Sequence, residues 1–437
     1  MIVPRSASSF FRRFATMSSR RPATCVEKAK PSVWVEFTTL AQQHKAVNLG
    51  QGFPDGPMPK FVADLLVDIA QHPERTDWHQ YTRGYGHPRL VNILSKIYSD
   101  LYRHEVKPLE EIIVTVGAYL ALYYAFRGWI NKGDEVLIIE PCYDCYAPQV
   151  LMAGGTPISY RMNLKAGARS SADYTIDFAA LEALCNKNTK MLVLNNPNNP
   201  TGKLYTRQEL EAVAKIAEKY DLIVIADEVY EWHQTDREMI RFASLPGMYE
   251  RTISIGSAGK AFSITGWKLG WAIGPDALLA PMKSVHQNCV FTCSTPTQEA
   301  VARAFEIEYP MLAPDADKSN SYLLTHLPNE LRSKRSKLAK MLEEGGMNPL
   351  IPDAGYFMIA DFSKIDGPFR EEKPGDDPID FRFVRWLCRE KQLATIPPTA
   401  FFFDKTMSPD DNLIRLCFMK KEETLEAAHG ILQKLLQ

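Results

Sequence analysis

The sequence predicts an α/β protein whose large domain carries a mostly parallel sheet flanked by helices, beside a smaller α+β domain. Three strand-like segments, 191–194, 222–226 and 252–255, recur about 30 residues apart, and a clear helical period separates the first two. This is the spacing of βαβ units, which form parallel sheets with helices on their faces. The chain has 437 residues, whereas one core seldom serves more than about 250–300, so two domains are expected.

The pattern changes towards the C-terminus, and this change sets the predicted domain boundaries. From Met347 onward, short strands and helices follow one another in mixed order around an exposed loop at 364–380 that is rich in glycine, proline and acid. We place a basic leader at 1–26, an N-terminal arm with part of the small domain at 27–64, the large domain at 65–340 and the small C-terminal domain at 341–437.

Periodicity predicts the remaining elements. Helices are expected near 33–41, 61–69, 90–101, 117–129, 282–308, 319–344 and 381–390 and from Glu422 onward, with further strands at 111–116 and 135–139. The strand that ends at Val116 leads directly into a helix start at Gly117, and such a helix N-terminus is a ready site for phosphate. Every α/β unit has such an end, so this feature alone does not identify a ligand.

Composition argues against several classes of protein. Apolar residues make up 45% of the chain and charged residues 24%, as in ordinary globular proteins. The net charge is −1, from 51 basic and 52 acidic residues, which gives no indication of a nucleic acid or an anionic membrane as partner. No apolar stretch approaches the roughly 20 residues that cross a bilayer.

Eight cysteines without a secretory signal are typical of reduced thiols rather than a disulfide framework. The pairs Cys142/Cys145 and Cys289/Cys293 are spaced closely enough for a four-thiolate zinc site. Their aromatic and apolar neighbours, and the lack of a glycine-rich knuckle, favour buried structural thiols instead. No metal is therefore predicted.

The first 26 residues form a basic leader without acid before Glu27. Five arginines alternate there with serine, alanine and phenylalanine: Arg5, Arg12, Arg13, Arg20 and Arg21. This composition is typical of a mitochondrial transit peptide, and the alternative is a disordered basic tail. A second start at Met17 would remove most of the arginines and yield a cytoplasmic form.

Polar residues follow the three repeated strands, at the edge where such sheets bind ligands. Asn199 follows the first strand, Asp227 and Tyr230 follow the second, and Lys260 follows the third. A single lysine in a glycine-rich turn is usually a solvated surface residue. A lysine in a crowded, dry site loses its charge more easily, which fits it for covalent chemistry with an aldehyde.

These four groups match the chemistry of pyridoxal 5′-phosphate. A carboxylate pairs with its protonated pyridine nitrogen, an amide and a phenol hold its ring oxygen, and a lysine forms a Schiff base with its aldehyde. The phosphate then requires donors, and the helix start at 117–119, Ser257 and Lys268 supply them.

Seven motifs occur in order between Pro31 and Leu436: NLGQGFPD, VTVGAYLAL, EPCYDCY, NNPNNPTGK, DEVY, IGSAGKAFSITGWKLGW and NLIRLCF. With them the chain closely resembles fold-type I pyridoxal-phosphate-dependent aminotransferases. Within these it resembles the kynurenine aminotransferase, glutamine transaminase K and cysteine-conjugate β-lyase group. The resemblance implies that both chain ends contribute to the small domain.

The resemblance also implies a role for individual residues. Lys260 forms the Schiff base, Asp227 pairs with the ring nitrogen, Tyr230 and Asn199 hold the ring oxygen, and Tyr143 stacks on the ring. The phosphate is held by Ala118, Tyr119, Ser257 and Lys268.

The substrate contacts that the resemblance implies begin with Arg415, which grips the α-carboxylate together with Asn199. Backbone at Gly52 contacts the same carboxylate, and Trp34 forms a wall of the side-chain pocket. Tyr81 and Phe291 reach in from a second subunit, so that activity requires a homodimer. Taken from the residues alone, Tyr81 is equally consistent with an ordinary surface aromatic.

The implied reaction is transamination between 2-oxo acids and large neutral or aromatic amino acids: L-kynurenine, glutamine, methionine and phenylalanine. β-Elimination of cysteine S-conjugates is a side reaction of the same chemistry, and the alternative is a lyase for which elimination is the main activity. Three departures leave the side-chain preference open. Thr292 replaces a histidine of some kynurenine-using relatives, Ala118 a common glycine, and Tyr143 a phenylalanine.

Two further functions, an ATPase and a non-catalytic regulator, each fit part of the sequence. An ATPase would explain a glycine-rich turn before a lysine, but Ser254 occupies the place of the first P-loop glycine, and Ala261 that of the magnesium-binding hydroxyl. A non-catalytic regulator on the same fold would not need the reactive amine, and Lys260, Asp227 and Arg415 are all present.

Overall fold

The structure is a computed structural model that describes residues 22–27, 32–372, 377–403 and 412–435. Most of the predicted leader, including Met17, lies outside these residues. The helices are α1 (Thr24–Glu27), α2 (Val33–Gln43), α3 (Lys60–Gln71), α4 (Thr76–His79), α5 (Pro88–Tyr102), α6 (Ala118–Trp129), α7 (Tyr146–Ala153), α8 (Phe178–Ala183), α9 (Arg207–Lys219), α10 (Ala258–Ala261), α11 (Asp276–Cys289), α12 (Thr295–Glu308), α13 (Leu327–Glu344), α14 (Ile379–Glu390) and α15 (Glu422–Leu432). The strands are β1 (Val47–Asn48), β2 (Ile112–Thr115), β3 (Glu135–Glu140), β4 (Thr156–Arg161), β5 (Asn163–Leu164), β6 (Tyr174–Thr175), β7 (Thr189–Asn195), β8 (Ile223–Asp227), β9 (Thr252–Ser257), β10 (Gly270–Ile273), β11 (Asn348–Leu350), β12 (Phe357–Asp361), β13 (Leu393–Ala394) and β14 (Leu413–Cys417).

A seven-stranded sheet in the order β2-β10-β9-β8-β7-β3-β4 forms the centre of the molecule. Strands β9, β8, β7, β3 and β4 run parallel to one another, which confirms the predicted mostly parallel sheet. The sheet is buried on both faces, because alternate residues of β7 pack into two different clusters. Val193 joins the larger cluster and Leu194 the smaller one on the opposite face.

Two strands of this sheet were not predicted. Strand β4 forms one edge of the sheet, and three of its six residues are exposed. Strand β10 lies between β9 and β2 and runs antiparallel to both. It is short and starts with a glycine, so that the sequence alone does not distinguish it from the end of a turn.

A smaller antiparallel sheet of β11, β12 and β14 follows the large one in the chain. Near the N-terminus, β1 pairs in parallel with β13, so that backbone hydrogen bonds join the first and last parts of the described chain. The residue after β1 also contacts β14, because the backbone N–H of Cys417 donates to the carbonyl of Leu49, and Ile396, two residues after β13, pairs with Arg415 of β14.

The continuous helix predicted at 282–308 is wrong, because the structure divides it into α11 and α12. The chain turns between them at Phe291, whose φ of 71° lies in the left-handed region that ends a helix. The predicted helix at 319–344 also differs at its start, where a π-helical turn at Tyr322–His326 precedes α13. Residues 373–376 of the predicted exposed loop at 364–380 lie outside the described residues, and the described part is exposed only in part: Phe369 is buried against Phe383.

Three of the four paired thiols are buried, namely those of Cys142, Cys145 and Cys293. Cys289 is exposed, so its predicted burial is wrong; it is the last residue of α11 and precedes the exposed turn at Phe291. Within the described ranges, no cluster of three or more metal-binding side chains is present. No described helix combines the length and apolar character that a membrane span requires.

Candidate active site

A cavity of about 320 Å³ lies at the carboxyl ends of the central strands. Its volume suits a small organic ligand. The structure brings twelve of the predicted site residues to its lining: Trp34, Gly52, Ala118, Tyr119, Tyr143, Asn199, Asp227, Tyr230, Ser257, Lys260, Lys268 and Arg415. Tyr81 and Phe291 are not among them.

Strand register explains why residues far apart in the chain meet here. Asn195, the last residue of β7, is opposite Asp227, the last residue of β8, and Asp227 is opposite Ile255 of β9. Parallel strands that end at the same level present their following residues at one edge. Lys260, on the short helix α10 that follows β9, therefore lies on the same side as Asp227.

Lys260 is half-buried because its side chain faces the cavity. Its Nζ donates to the hydroxyl of Tyr356 at 2.6 Å and to the carbonyl of Gly52 at 3.4 Å. Burial lowers the pKa of Lys260 to about 8, because a partly dehydrated site disfavours the ammonium form. A substantial fraction of the amine is therefore neutral near physiological pH and can act as a nucleophile or base.

Asp227 is buried at the end of β8 and accepts a hydrogen bond from Tyr146, whose hydroxyl is 2.5 Å from Oδ2. The backbone N–H of Val229 donates to Oδ1 at 3.5 Å. Burial raises the pKa of Asp227 to about 6, and the hydrogen bond from Tyr146 opposes this rise by favouring the carboxylate. Asp227 is thus ionised at neutral pH, as a partner of a protonated ring nitrogen must be.

Tyr146→Phe is expected to raise the pKa of Asp227 above about 6, because the variant removes a hydrogen bond to the charged form. On the acid side of the plot of activity against pH, the pH of half-maximal activity should then rise by roughly 0.5–1 unit. A pH titration of turnover measures this shift. Tyr124→Phe is the matched control, since Tyr124 is buried and its hydroxyl has no partner among the described residues. An equal shift in both variants would contradict the role of Tyr146.

An anion-binding corner lies at the start of α6. Gly117 caps this helix with a φ of 74° and has no side chain to bond the first N–H groups, which leaves them available to a ligand. A Cβ on Gly117 would be 3.5 Å from Nζ of Lys268, so the glycine keeps open the space between the helix start and the lysine. Ala118, Tyr119 and Ser257 line the same side of the cavity. The corner combines backbone donors with a cation, as a phosphate requires.

Arg415 of β14 is fully buried and also lines the cavity. In the part of the chain that the structure describes, its hydrogen bonds go to two neutral oxygens: Nη1 donates to Oδ1 of Asn199 at 3.0 Å and Nη2 to the carbonyl of Gly50 at 2.7 Å. Its Nε has no partner there. Burial lowers the pKa of Arg415 to about 10, which still leaves it charged at neutral pH. A buried guanidinium with a free donor favours an anionic ligand.

Aromatic rings enclose this guanidinium. Its carbon lies 4.0 Å from the ring centroid of Phe357, 4.7 Å from that of Phe401 and 5.1 Å from that of Trp34. A cation against aromatic faces is stabilised where water is excluded. Trp34 therefore forms a wall beside the predicted carboxylate site.

Tyr143 and Tyr119 contribute an aromatic side to the cavity, with their rings edge to face at 6.2 Å. Tyr230 is buried and packs edge to face against Tyr356 at 5.2 Å. Burial raises the pKa of Tyr230 above its usual range, so the phenol stays protonated and can donate to a ligand oxygen.

Tyr81 and Phe291 lie outside the cavity and contact each other edge to face at 5.7 Å. They are among the most exposed aromatic residues of the described chain, at 83% and 55%. Phe291 is also held at its positive φ, a backbone conformation that a phenylalanine rarely adopts. An exposed pair of aromatic rings is typical of a contact surface, and their role in a second subunit's site remains a prediction.

Sequence reasoning did not single out Tyr146, Tyr356 or Asn195. Tyr146 lies three residues after Tyr143, a spacing that places both on one side of a helical turn. The sequence could therefore have indicated Tyr146 as a neighbour of the predicted ring-stacking residue. Asn195 donates to the backbone carbonyl of Asp227 at 2.9 Å, a contact that only the strand register reveals. Tyr356 precedes β12 in an apolar run that contains no catalytic motif.

Comparison with known proteins gives consistent results. The family model described as aminotransferase class I and II matches residues 44–431. Kynurenine–oxoglutarate transaminase 3 of Homo sapiens is 45% identical over 412 residues, which cover 93% of this chain and 89% of that protein. Kynurenine–oxoglutarate transaminase 1 of Homo sapiens is 43% identical over 412 residues, covering 92% of this chain and 95% of that protein. The solved structure of YbdL from Escherichia coli, reported with a methionine aminotransferase function, aligns with a TM-score of 0.82 at 30% identity and covers 95% of this chain and 100% of its own.

Proposed function

Because the chain belongs to the aminotransferase class I and II family and is an aminotransferase, we propose that its amino donors are L-kynurenine and other large neutral or aromatic amino acids. The acceptors are 2-oxo acids. The observation that carries the proposal is one cavity lined by the amine of Lys260, the carboxylate of Asp227 and the buried guanidinium of Arg415. The amine is suited to chemistry at an α-carbon, and the guanidinium binds the carboxylate attached to that carbon.

The residues of the cavity fit pyridoxal 5′-phosphate. Lys260 would hold the aldehyde carbon and Asp227 the ring nitrogen, with Asn199 and Tyr230 at the ring oxygen and Tyr143 against the ring. The open corner between Gly117 and Lys268 fits the phosphate, because neither a side chain nor a helix cap fills it. When bound, the cofactor supplies an electron sink for the negative charge that develops at the substrate α-carbon.

The chain's own residues then have defined tasks. Arg415 binds and orients the α-carboxylate in a fork of two donors. Lys260 accepts the proton of the α-carbon at Nζ, for which a pKa of about 8 is well matched to neutral pH. Asp227 keeps a negative charge at the ring nitrogen, a task that an amide at this position would not perform. The aromatic walls at Trp34 and Tyr143 exclude water from this space.

The choice of large neutral donors rests on the aromatic lining and on the relatives. The cations that line the cavity are Lys260, Lys268 and Arg415, and each already has a task. The apolar rings of Phe53 and Phe357 also line the cavity, and that of Phe357 lies against the guanidinium of Arg415. The relatives named above are kynurenine–oxoglutarate transaminases, which favours transamination over a lyase as the main activity. With donors that carry a leaving group at the β-carbon, elimination would follow from the same proton removal.

A donor screen tests this proposal. Purified protein loaded with the cofactor is expected to convert kynurenine, glutamine, methionine and phenylalanine to their oxo acids when a 2-oxo acid is present. The matched control is Lys260→Ala protein in every reaction, which should give no product. Release of ammonia or pyruvate without transfer of the amino group to the acceptor would support the lyase instead. Failure with all four donors would refute the proposed substrate class.

We further propose that the active form is a homodimer in which Tyr81 and Phe291 complete the site of the partner subunit. Co-expression of Lys260→Ala chains with Tyr81→Ala chains tests this arrangement. If Tyr81 acts across the interface, each mixed dimer keeps one intact site and activity returns, although both variants alone are impaired. If Tyr81 acts within its own chain, mixing restores nothing.

The leader supports a mitochondrial location, with a cytoplasmic form if translation also starts at Met17. Sequencing of the mature N-terminus from each compartment tests both statements. An unprocessed Met1 in every compartment would contradict them.

A further inference from the structure

We propose that Tyr356 is the docking partner of the Lys260 amine whenever that amine is not bonded to the cofactor, a positioning role that rests on the proposed function of the site. The hydroxyl of Tyr356 holds Nζ in one place and accepts a hydrogen bond from it. The amine thus waits at a fixed position instead of sampling the cavity.

The geometry of three polar groups carries this proposal. The hydroxyl of Tyr356 donates to the carbonyl of Gly52 at 2.7 Å. Its hydrogen is thereby committed, so its oxygen can only accept from Nζ of Lys260, at 2.6 Å. Nζ is also 3.4 Å from the carbonyl of Gly52, which closes a triangle of polar atoms. The hydroxyl oxygen of Tyr356 and the carbonyl oxygen of Gly52 both act as acceptors here, so the position between them favours a group with N–H donors such as the Lys260 amine.

The position of the phenol itself is fixed by packing. Tyr356 is fully buried, and its ring contacts those of Phe357 at 4.8 Å and of Tyr230 and His233 at 5.2 Å each, all edge to face or nearly so. A ring held on three sides cannot turn away when Lys260 leaves. A tyrosine that served the fold alone would be satisfied by its bond to Gly52, and the second contact with Lys260 would not be needed.

The charged and titratable groups that act on this amine come from several elements. They are Asp227, Tyr230, His233, Lys268, Arg415 and Cys417. Burial lowers the pKa of His233 to about 3, so this ring is neutral and does not compete for the proton. Lys268 and Arg415 disfavour the ammonium, while Asp227 favours it. In the described chain, the side chain that contacts Nζ at hydrogen-bond distance is that of Tyr356.

Tyr356→Phe keeps the ring but removes the hydroxyl, and with it both the acceptor for Nζ and the hydrogen bond to Gly52, so the ammonium form of Lys260 loses its shortest hydrogen bond. We expect the pH of half-protonation of Lys260 to fall by roughly 0.5–1 unit. The measurement is the rate at which acetic anhydride modifies Lys260 as a function of pH, read by mass spectrometry. It uses the full-length protein, both with the cofactor in its amine form, where Lys260 is free, and with the cofactor removed.

The matched control is Tyr124→Phe, another buried tyrosine, whose hydroxyl has no partner in the described chain. It should leave the titration of Lys260 unchanged. An unchanged titration in Tyr356→Phe, or an equal shift in both variants, overturns the proposal. If Tyr356→Phe does not fold, 3-fluorotyrosine at the same position keeps the volume and the hydroxyl but weakens the acceptor. It should produce a smaller shift in the same direction, and no shift there also overturns the proposal.

The experiment separates this inference from the proposed substrate. The titration of Lys260 requires no amino donor. A chain that fails the donor screen but shows the shift would therefore support the role of Tyr356 and refute the proposed substrate class. A chain that passes the screen without the shift would keep the proposed substrate class and refute the role of Tyr356.

Discussion

Lys260→Ala is expected to lower transamination by at least about 10⁴-fold while the protein still folds, because the variant loses both the covalent anchor and the base. The fold should tolerate the change, since within the described residues the amine makes its hydrogen bonds to Tyr356 and Gly52, which also bond each other. Initial rates with a saturating donor measure the loss, and circular dichroism checks the fold. Residual turnover within tenfold of the unaltered protein would remove Lys260 from the mechanism.

Two further measurements sharpen this result. Borohydride reduction should trap the cofactor on the peptide that contains Lys260, and Lys268→Ala is the matched control because it removes the other free amine of the cavity but should leave the trap on Lys260. Cofactor recovered on a different lysine would refute the assignment.

The second measurement is the free energy of unfolding as a function of pH. The pKa of Lys260 falls from 10.5 to about 8 on folding, so between these values the unfolded chain binds the extra proton and stability rises with pH. Lys260→Ala protein without cofactor should lack that part of the rise.

Arg415→Lys is expected to weaken amino acid binding by roughly 10–100-fold with a much smaller effect on kcat. A charged hydrogen bond contributes about 1.5–3 kcal/mol, and each 1.4 kcal/mol is about tenfold in affinity. Lysine keeps the charge but loses the fork, and it leaves Oδ1 of Asn199 or the carbonyl of Gly50 without a donor. The KM for the amino donor, compared with kcat, measures the effect.

The control for Arg415 is the substrate rather than a second variant. An amine that lacks the α-carboxylate but is otherwise identical to the donor should bind the original and altered proteins equally weakly. A loss of affinity for this amine as large as that for the amino acid would show that Arg415 shapes the pocket instead of binding the carboxylate. Unchanged kinetics with both ligands would remove it from the site.

The sequence alone predicted five of the seven strands of the central sheet and the polar residues that follow three of them. Lys260, Asp227 and Asn199 could be predicted because parallel strands of similar spacing end at one edge, and their position there follows from chain order. Strand β10 could not, because four residues that reverse direction leave no period to detect. The break at Phe291 was missed for a related reason: the surrounding residues favour a helix, and one left-handed residue interrupts it.

The residues missed at the site share a different property. Tyr356 and Tyr146 act through the direction of one hydroxyl, and that direction depends on neighbours that are distant in the chain: Gly52 for the first and Asp227 for the second. Residue type and spacing along the chain contain no information on which lone pair faces which donor. Such contacts are read from the folded molecule.

The reversal at β10 has a consequence for how the site can change. Gly270, the first residue of β10, pairs with Ser257, the last residue of β9. The segment 258–269 is therefore a closed hairpin connection, and it carries both Lys260 and Lys268. An insertion or deletion within this segment would displace the amines of Lys260 and Lys268 together, because the same two strand ends fix the positions of both. Under the proposed function, cofactor anchoring and proton transfer therefore depend on one connection of fixed length, whereas Trp34, the proposed wall of the donor pocket, lies on a separate segment of the chain.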